Sequence, residues 1–555
     1  MDDRQRAQRG RRGRDLELRL LGALAAAAAG AAGCVSLPPC QAADGGLPKE
    51  IPVCAADAGP GSFAIDTDAG FLFGTATAAF QVEGGIHGAD FWQWTEVPLD
   101  GGSCTKILHC DDPDDGDDDY DQYAQDLALA KALGTNAYRF SIEWSRIEPA
   151  EGEYDPTAIA HYHALLAACA ANGLTPLVTL EHYTLPIWLH GVAPGKSGAS
   201  DADWLGGWRG FPGEAAGPSA KVVQAYGKFA GDMAKEYGGE VDLWVTLNEP
   251  MVLAAAAYVG GTFPPGATLH LTDARNALVN QAYANAAAYD AIHGNDLVAA
   301  RPGGPPALAG IAKNMPVFLP DPSSDPAQAA AAAQQMDYVF NWLFLNAVVD
   351  GNLDTHMDGS YSHPGDPEGE GTAIAALAGR ADFIGVNYYT TEVVTPIAGG
   401  LPDAQGSALT LPGLPMENPD PNVPHSDPPA SEQIYPQGMH DELMAVSGKF
   451  PQLPIYVTEN GVADAKDVLR APFVVHHIQA MQQAMAEGAD VRGYFHWALM
   501  DNFEWAYGFA PRYGLYRVDY TSPQKSRTIT MGAKAYQAII AAQGVTPAIA
   551  KQWAQ

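Results

Sequence analysis

Short apolar runs rich in β-branched and aromatic residues alternate with helical stretches along most of the chain. Eight runs follow one another, and most of them end in polar residues: FLFGTAT (71–77), AYRFSIEW (137–144), TPLVTLEH (175–182), LWVTLNE (243–249), LAGIAKN (308–314), FIGVNYY (383–389), PIYVTEN (454–460) and RGYFHWAL (492–499). Helices between successive strands make the strands parallel, and eight such units predict a closed barrel. The predicted fold class is therefore α/β, a single (β/α)8 TIM barrel.

The clearest helical stretches between these runs are YAQDLALAKALG (123–134), AIAHYHALLAACAANG (158–173) and ALVNQAYANAAAYDAIHG (277–294). The barrel would occupy residues 66–545, whereas the fold typically needs about 250 residues. We therefore expect long insertions in the loops that follow the strands. The Gly- and Trp-containing segment 191–213 and the Pro-rich segment 399–430 are the two most visible.

The N-terminus has the composition of a secretion signal. Residues 1–14 contain six arginines, and the apolar stretch LRLLGALAAAAAGAAGC (18–34) follows them. A basic region, a short apolar region and small residues are the three parts of a signal peptide. The apolar stretch is too short, and too rich in Ala and Gly, to cross a membrane comfortably. We expect residues 1–33 to be a signal peptide.

The residues Ala31-Ala32-Gly33-Cys34 resemble a bacterial lipobox, in which the cysteine is lipidated. On this hypothesis Cys34 carries a lipid, and residues 34–65 form a polar linker to the barrel. The protein would then be exported to the periplasm or cell surface as a lipoprotein, with a membrane contact only through this anchor. Ordinary signal cleavage and an uncleaved anchor are the alternatives.

The other five cysteines fit an oxidising compartment. Cys40 and Cys54, and likewise Cys104 and Cys110, are close enough in sequence to form small loop disulfides. Cys169 lies within a helical stretch, and we expect a free thiol in the core. The chain has no CxxC motif, so a cysteine zinc site is not predicted.

The formal net charge of −34 argues against a nucleic-acid partner. It is compatible with an uncharged or cationic ligand. The acidic run DDPDDGDDDYD (111–121) lacks the spacing of an EF-hand loop. We interpret this run as a solvated loop rather than a calcium site, and no metal site is predicted.

Two of the predicted strands end in a glutamate, Glu249 in WVTLNEP and Glu459 in IYVTENG. In a (β/α)8 barrel the carboxyl ends of the strands carry the active site, so both side chains would lie at the mouth. A pair of carboxyl groups, one protonated and one ionised, is what cleavage of a glycosidic bond requires. A structural ion pair would give the same sequence pattern, so the two glutamates alone do not decide the function.

The residues around these glutamates resemble glycoside hydrolase family 1, the β-glucosidase and β-galactosidase family. Six motifs carry the resemblance, in the family's order, from about residue 70 to 540: FLFGTATAAFQVEGG (71–85), YRFSIEWSRIEP (138–149), TLNEP (246–250), IGVNYY (384–389), YVTENG (456–461) and HWALMDNFEWAYGFAPRYGLYRVDY (496–520). The resemblance implies an O-glycosidase that needs no cofactor or metal.

By this resemblance, Glu249 is the general acid/base and Glu459 the nucleophile of a retaining mechanism. The resemblance assigns Arg139 and the hydroxyl of Tyr388 to the support of Glu459. It assigns Asn248 to a hydrogen bond with the 2-hydroxyl of the sugar. Retention implies that the two carboxyl groups are about 5–5.5 Å apart.

The same resemblance implies a pocket for one neutral sugar, the terminal β-D-glucosyl or a related unit of a small β-glycoside or oligosaccharide. It assigns Gln81 and His182 to the 3- and 4-hydroxyls, and Glu504 to the 4- and 6-hydroxyls. Trp505 lies beside Glu504, and Trp497 is the aromatic surface on which the sugar stacks.

The chain departs from the family pattern in three segments. Tyr183 stands where many members have Trp or Phe, and Tyr513 replaces a common Phe, which adds a hydroxyl near the 6-position. Ahead of IYP (434–436), where members often have a Trp that lines the leaving-group site, this chain has Glu432 and Gln433. The preference for a leaving group therefore stays open.

Two alternatives remain at this stage. A 6-phospho-β-glycosidase would place a phosphate beside Glu504, and DNFEWAYG contains no basic residue to bind it. A non-catalytic, lipid-anchored carbohydrate-binding protein on the same scaffold is the second alternative. Loss of catalysis normally removes one of the two glutamates, and this chain has both.

Overall fold

The computed structural model describes residues 65, 70–98, 106–214, 217–300, 304, 307–359, 373–418, 420 and 422–554. The predicted signal peptide and most of the predicted linker, with Cys34, Cys40 and Cys54, lie outside the described residues, as does Cys104.

Eight parallel strands form one closed barrel in chain order. They are β1 Leu72–Ala76, β2 Ala137–Ser141, β3 Thr175–Thr179, β4 Leu243–Asn248, β5 Leu308–Asn314, β6 Ile384–Asn387, β7 Ile455–Asn460 and β8 Val491–Trp497. β1 closes the barrel because it pairs with β2, Gly74 opposite Ala137, and with β8, Leu72 opposite Gly493. The predicted (β/α)8 barrel is confirmed, and each of the eight apolar runs supplies one strand.

A long helix follows each barrel strand on the outside of the barrel. The eight are Asp119–Ala132, Pro156–Asn172, Ala220–Tyr237, Leu271–Asn295, Pro326–Asp337, Pro436–Lys449, Arg470–Ala486 and Met531–Ala541. The three helices predicted from the sequence are present with slightly earlier starts. None of the described helices is long and apolar enough to cross a membrane.

Local sequence signals explain where several helices begin and end. The Asp155 side chain accepts a hydrogen bond from the Thr157 N–H, and Pro156 occupies the first helical position. That helix ends at Gly173, whose φ of 69° is a left-handed conformation that glycine adopts at little cost. Asp325 caps its helix in the same way with two accepted N–H groups.

The apolar core has two layers, which follow from the alternation of side chains along the strands. One layer fills the barrel itself and includes Leu72, Leu177, Leu243 and Phe495. The larger layer lies between the barrel and the surrounding helices. Because the interior is filled by side chains, the open space of the barrel is confined to its mouth.

The insertions build the rim of the mouth. Thr391–Pro402 and Thr410–Glu417 form a hairpin that joins Val317–Pro320 in a three-stranded sheet. A second hairpin pairs Tyr516–Val518 with Arg527–Ile529. The remaining short helical segments are Ala79–Val82, Asp90–Thr95, Leu108–Cys110, Pro113–Asp115, Trp144–Ile147, Ile187–His190, Asp201–Asp203, Gly207–Arg209, Pro250–Ala254, Ala255–Val259, Tyr338–Trp342, Leu343–Leu345, Asn346–Asp350, Trp505–Tyr507 and Pro547–Trp553.

The acidic run 111–121 is only partly solvated, which corrects the sequence interpretation. Asp117 and Asp119 are buried, whereas most of the other aspartates of the run are exposed. The buried end lies beside Arg527, which donates to the Asp117 carbonyl at 2.8 Å and forms a fully buried ion pair with Asp126. The nearby guanidinium is a feature that the spacing of the aspartates could not reveal.

The cysteines follow the expectation where they are described. Cys169 is a free, buried thiol, as predicted. Cys110 is disulfide-bonded. Burial raises the pKa of the Cys169 thiol to about 12, so this thiol is protonated and unreactive near neutral pH.

Candidate active site

Glu249 occupies a turn between β4 and the short helix Pro250–Ala254. Its φ of 48° is left-handed, a conformation that a non-glycine residue rarely adopts. The Glu249 N–H donates to the Ala312 carbonyl of β5 at 2.8 Å, which ties the turn to the barrel. Strained residues of this kind concentrate at functional sites.

The Glu249 carboxyl is buried and accepts hydrogen bonds from three neutral groups. Asn387 Nδ2 donates to Oε1 at 2.6 Å and Asn314 Nδ2 at 3.3 Å, whereas the Tyr183 hydroxyl donates to Oε2. Burial raises the pKa of Glu249 to about 7, and the negative charge of Glu459 contributes to the rise. Near pH 7 this carboxyl can therefore hold or release a proton.

Glu459 lies on β7 in a different environment, because a cation contacts it directly. Arg139 Nη1 donates to Glu459 Oε1 at 2.5 Å, and both side chains of this ion pair are buried. The Tyr389 hydroxyl donates to Oε2 at 2.6 Å. Both carboxylate oxygens are thus held in fixed directions by charge-assisted hydrogen bonds.

Arg139 also links Glu459 to Glu249 through hydrogen bonds of Asn248 and Asn387. Its Nη2 donates to Asn248 Oδ1 at 2.7 Å, and Asn387 Nδ2 donates to the same oxygen at 3.2 Å. Asn248 Nδ2 lies 3.4 Å from His182 Nε2. The amide oxygen of Asn248 therefore accepts hydrogen bonds from two protein groups. Its amide nitrogen has one long contact and is the atom that a ligand can contact.

The Tyr388 hydroxyl does not contact the Glu459 carboxyl, so this predicted contact is wrong; the two residues meet only through the backbone, where the Tyr388 N–H donates to the Glu459 carbonyl at 3.0 Å. The Tyr388 hydroxyl donates to the Tyr435 carbonyl at 2.6 Å, in the layer between barrel and helices. Side chains alternate along a strand, and because Asn387 points into the mouth, Tyr388 points outward and Tyr389 inward. A Cβ at Gly438 would lie 2.0 Å from the Tyr388 hydroxyl, so Tyr388 packs directly against the helix Pro436–Lys449 at this glycine. The role of Tyr388 is therefore in packing.

Gln81, Trp497 and Glu504 meet on one side of the mouth. Gln81 Nε2 donates to Asn502 Oδ1 at 2.8 Å, and Trp497 Nε1 donates to Glu504 Oε1 at 3.2 Å. Burial raises the pKa of Glu504 to about 8. In the described part of the chain, Gln81 Oε1 has no hydrogen-bond partner, so it is available to a hydroxyl group.

His182 is a neutral imidazole between two indole rings. Burial, with repulsion from Arg139, places its pKa well below the ordinary value. Its ring is nearly parallel to those of Trp497, 5.8 Å away, and Trp505, 6.1 Å away. His182 Nδ1 has no partner among the described residues. With Gln81 Oε1 it offers a polar ligand two unsatisfied atoms in an aromatic wall.

A single cavity unites these groups at the carboxyl ends of the strands. Its wall contains Gln81, His182, Tyr183, Glu249, Val252, Phe263, Tyr389, Glu432, Glu459, Trp497, Glu504, Trp505 and Tyr513. Both predicted catalytic glutamates and all five predicted sugar-binding residues are in this set. Arg139 and Asn248 contact the wall from behind.

The sequence interpretation missed several residues of this site. Tyr389 directly follows Tyr388, and strand alternation predicts that only one of the two side chains faces the mouth, without saying which. Asn314 and Asn387 end β5 and β6, and the rule that placed Glu249 at the mouth applies equally to them. Across the described ranges, no three His, Cys, Asp or Glu side chains are grouped so that they could hold a metal ion.

The chain is similar in sequence and structure to known glycosidases. The sequence model of the family described as "Glycosyl hydrolase family 1" matches residues 65–545 of this chain. A β-galactosidase of Pyrococcus woesei is 32% identical over 542 residues, which cover 87% of this chain and 98% of the relative. A 6-phospho-β-galactosidase of Lacticaseibacillus rhamnosus is 31% identical over 500 residues, 84% of this chain and 96% of the relative.

Among solved structures, a β-glycosidase from Pyrococcus horikoshii superposes with a TM-score of 0.68 at 30% identity, over 87% of this chain and 97% of that one. The family match over residues 65–545 contains all eight barrel strands and every residue of the cavity wall. The chain therefore belongs to glycosyl hydrolase family 1 and is a β-glycosidase.

Proposed function

We propose that Glu459 is the nucleophile and Glu249 the acid/base of a retaining reaction on terminal β-linked neutral sugars. The observation that carries this proposal is the contrast between two carboxyl groups in one cavity. Glu459 is ion-paired with Arg139, whereas Glu249 accepts only neutral donors among the described residues and has a pKa raised to about 7. Two carboxyl groups with different proton affinities are what double displacement requires.

In the first step, Glu459 attacks the anomeric carbon while Glu249 donates its proton to the leaving oxygen. The glycosidic bond breaks, and an ester bond between the sugar and Glu459 forms. In the second step, water attacks the same carbon, Glu249 takes the proton from that water, and the ester bond breaks. Two inversions return the sugar in its original β configuration.

The wall of the cavity supports a neutral hexose as the substrate. The Trp497 indole offers a flat apolar surface, and Gln81 Oε1 and His182 Nδ1 offer unsatisfied polar atoms. Glu504 adds an acceptor for two hydroxyl groups. Asn248 Nδ2 is available to the 2-hydroxyl, a contact that stabilises the transition state. Glucosides, galactosides and fucosides all satisfy this pattern.

A 6-phospho-β-galactosidase is among the relatives of this chain, but the charges in the cavity do not favour a phospho-glycoside substrate. None of the thirteen wall residues is Lys or Arg, and four of them are glutamates. A dianionic phosphate beside Glu432 and Glu504 would have no cationic partner in the wall, and binding would require both carboxyl groups to stay protonated. We expect the rate with p-nitrophenyl β-galactoside to exceed that with its 6-phosphate by at least about a hundredfold; the reverse order would support the alternative.

Hydrolysis itself separates the enzyme from a non-catalytic binding protein on the same scaffold. The test is release of p-nitrophenol from the β-D-glucoside, galactoside and fucoside by the purified protein, beside Glu459→Ala. We expect turnover by the wild type and a loss of at least about 10⁴-fold in the variant. Sugar binding without turnover by the folded wild type would favour the binding protein.

Azide distinguishes the roles of the two glutamates. In Glu459→Ala, azide can replace the nucleophile, and a single displacement gives the α-glycosyl azide. In Glu249→Ala, with a dinitrophenyl leaving group that needs no acid, the glycosyl-enzyme forms and azide then gives the β-glycosyl azide. The opposite assignment of products would show that the two roles are exchanged.

We also propose that the protein is exported and lipidated at Cys34. The support is the order of basic, apolar and small residues over 1–34. Expression of the full chain in a bacterium with labelled palmitate should label the wild type and leave Cys34→Ser unlabelled. An unlabelled wild type in the soluble periplasmic fraction would point to ordinary signal cleavage.

A further inference from the structure

Glu432 is a fourth carboxyl in the cavity wall, and the proposed reaction does not use it. Its side chain is buried, and Oε1 accepts a hydrogen bond from the Tyr513 hydroxyl at 2.8 Å. The backbone is held by Ser426 on both sides. The Glu432 N–H donates to Ser426 Oγ at 2.9 Å, and the Ser426 N–H donates to the Glu432 carbonyl at 2.8 Å. The carboxyl is therefore fixed in direction.

Glu432 and Glu504 line the same cavity, and Tyr513, which also lines it, donates to Glu432. The negative charge of Glu432 adds to burial in raising the pKa of Glu504. The charges of Glu432 and Glu504 both add to burial in raising the pKa of the Tyr513 hydroxyl. The carboxylate that acts on Glu249 is instead Glu459. Glu432 thus belongs to the end of the cavity that holds the sugar's outer hydroxyls.

The sequence left the surroundings of Glu432 open, at a position where family members often have a Trp that lines the leaving-group site. In the structure, the Tyr513 hydroxyl donates to the Glu432 carboxyl, and the Tyr513 ring packs edge-on against Tyr389, 6.2 Å away. Glu432 and Glu504 together border a space with acceptors on two sides. A hydroxyl can donate to such acceptors, whereas a methyl group leaves a buried carboxyl without a replacement partner.

We propose that Glu432, positioned by Tyr513, is a specificity-determining residue that accepts a hydrogen bond from the C6 hydroxyl of the sugar. The enzyme then selects hexosides with a free 6-hydroxyl over 6-deoxy and pentosyl glycosides. The inference rests on the proposed function, because it takes Glu504 as the partner of the outer hydroxyls.

The test compares two substrates that differ in one oxygen. p-Nitrophenyl β-D-fucoside is the 6-deoxy form of the β-D-galactoside, so the ratio of their kcat/KM values reports the contact at C6. Burial raises the pKa of Glu432 to about 7, so the assay is made at pH 8, where this carboxyl is mostly ionised. We expect Glu432→Ala to lower the galactoside-to-fucoside ratio by about ten- to a hundredfold, the effect of a lost hydrogen bond to a charged group. Tyr513→Phe should lower the ratio less, since the carboxyl stays but is less well directed.

Two controls keep the result specific. Glu432→Gln preserves the shape of the side chain and should give an intermediate ratio even if the alanine variant folds poorly. Glu151 is exposed, and Glu151→Ala makes the same change in charge away from the cavity. A merely structural role would lower both rates together and leave the ratio unchanged.

An unchanged ratio, within twofold of the wild type in both folded Glu432 variants, would overturn this inference and leave the proposed function intact. A wild type that hydrolyses neither sugar would overturn both. The two failures are therefore distinguishable in one set of assays.

Discussion

The Tyr183 hydroxyl donates a hydrogen bond to Glu249 Oε2, the carboxyl oxygen opposite the one that receives the amides of Asn314 and Asn387. Tyr183 is buried, has a φ of 73° and packs against Phe263 at 5.3 Å. This hydroxyl stabilises the ionised carboxylate, so it opposes the burial that raises the pKa of Glu249. The acid/base is thereby held in an intermediate range, suited to giving a proton in one step and taking one in the next.

The wild-type enzyme should lose activity as the pH rises through about 7. Glu249 must be protonated to assist the leaving group, and its pKa is raised to about 7. Above that pH the protonated fraction falls tenfold per unit, so kcat/KM for an alkyl β-glycoside should fall with the same slope. Glu249→Gln, assayed with a dinitrophenyl glycoside, should lack this basic limb. A basic limb that persists in the variant would assign it to another group.

Tyr183→Phe should move the basic limb to higher pH. The substitution removes a hydrogen bond to the charged form of Glu249, which leaves the protonated form relatively more stable. A hydrogen bond to a charged group contributes about 1.5–3 kcal/mol, which corresponds to a shift of about one unit or more in the apparent pKa. The measurement is the pH profile of kcat/KM for both proteins.

The matched control is Tyr226→Phe, which removes a buried tyrosine hydroxyl that donates to the Thr246 carbonyl. This variant should lose stability without a shift of the profile. If Tyr183→Phe and the wild type had the same basic limb, Tyr183 would have no influence on the proton affinity of Glu249.

Tyr389→Phe should lower the activity, whereas Tyr388→Phe should lower the stability, although the two residues are adjacent. The Tyr389 hydroxyl contacts Glu459, whereas that of Tyr388 contacts the Tyr435 carbonyl. We expect Tyr389→Phe to lower kcat/KM by about ten- to a hundredfold at wild-type stability. Tyr388→Phe should cost about 1 kcal/mol of stability and leave kcat/KM within about threefold. Kinetics and thermal melts of both proteins decide the matter, and the reverse pattern would restore Tyr388 as the support of Glu459.

The barrel and most of its site could be predicted because their signals are local and repeated. Most of the apolar runs end in polar residues, and that pattern places Glu249 and Glu459 at one mouth. The motif IGVNYY contains both Tyr388 and Tyr389, and only the inward direction of Asn387 shows which of the two hydroxyls faces the mouth.

Contacts between distant loops were not predictable in the same way. The link between Tyr513 and Glu432 joins residues 81 positions apart. The burial of Asp117 depends on Arg527, which lies 410 positions along the chain. Neither pair has a spacing or a periodicity that marks it, because loops are positioned by tertiary packing rather than by local propensity.

The rim of the mouth contains two facing glutamates, Glu392 and Glu417, whose raised pKa values should make the protein more stable in mild acid. Glu392 and Glu417 are opposite each other in the antiparallel hairpin Thr391–Pro402 and Thr410–Glu417. Glu392 is fully buried, and neither of its carboxyl oxygens has a hydrogen-bond partner among the described residues. Burial raises the pKa of Glu392 well above its ordinary value, and burial with the charge of Glu392 does the same for Glu417.

The sign of the effect follows from linkage. A carboxyl whose pKa is higher in the folded than in the unfolded state binds protons more tightly when folded, so its stabilising contribution is complete below the unfolded pKa of about 4.3. That contribution is lost as the pH rises toward the folded pKa. Glu392→Gln removes the ionisation, so we expect the Tm to rise by about 2 °C or more at pH 8 and to stay nearly constant at pH 4.

Thermal melts at both pH values, with Glu151→Gln as the exposed control, test this prediction. The control should change the Tm by less than about 1 °C at either pH, because an exposed carboxyl is solvated in both states. A Tm of Glu392→Gln that falls at pH 8 would mean that the ionised Glu392 is stabilised in the folded protein. In that case a cationic or polar group of the folded protein would contact the Glu392 carboxylate at pH 8.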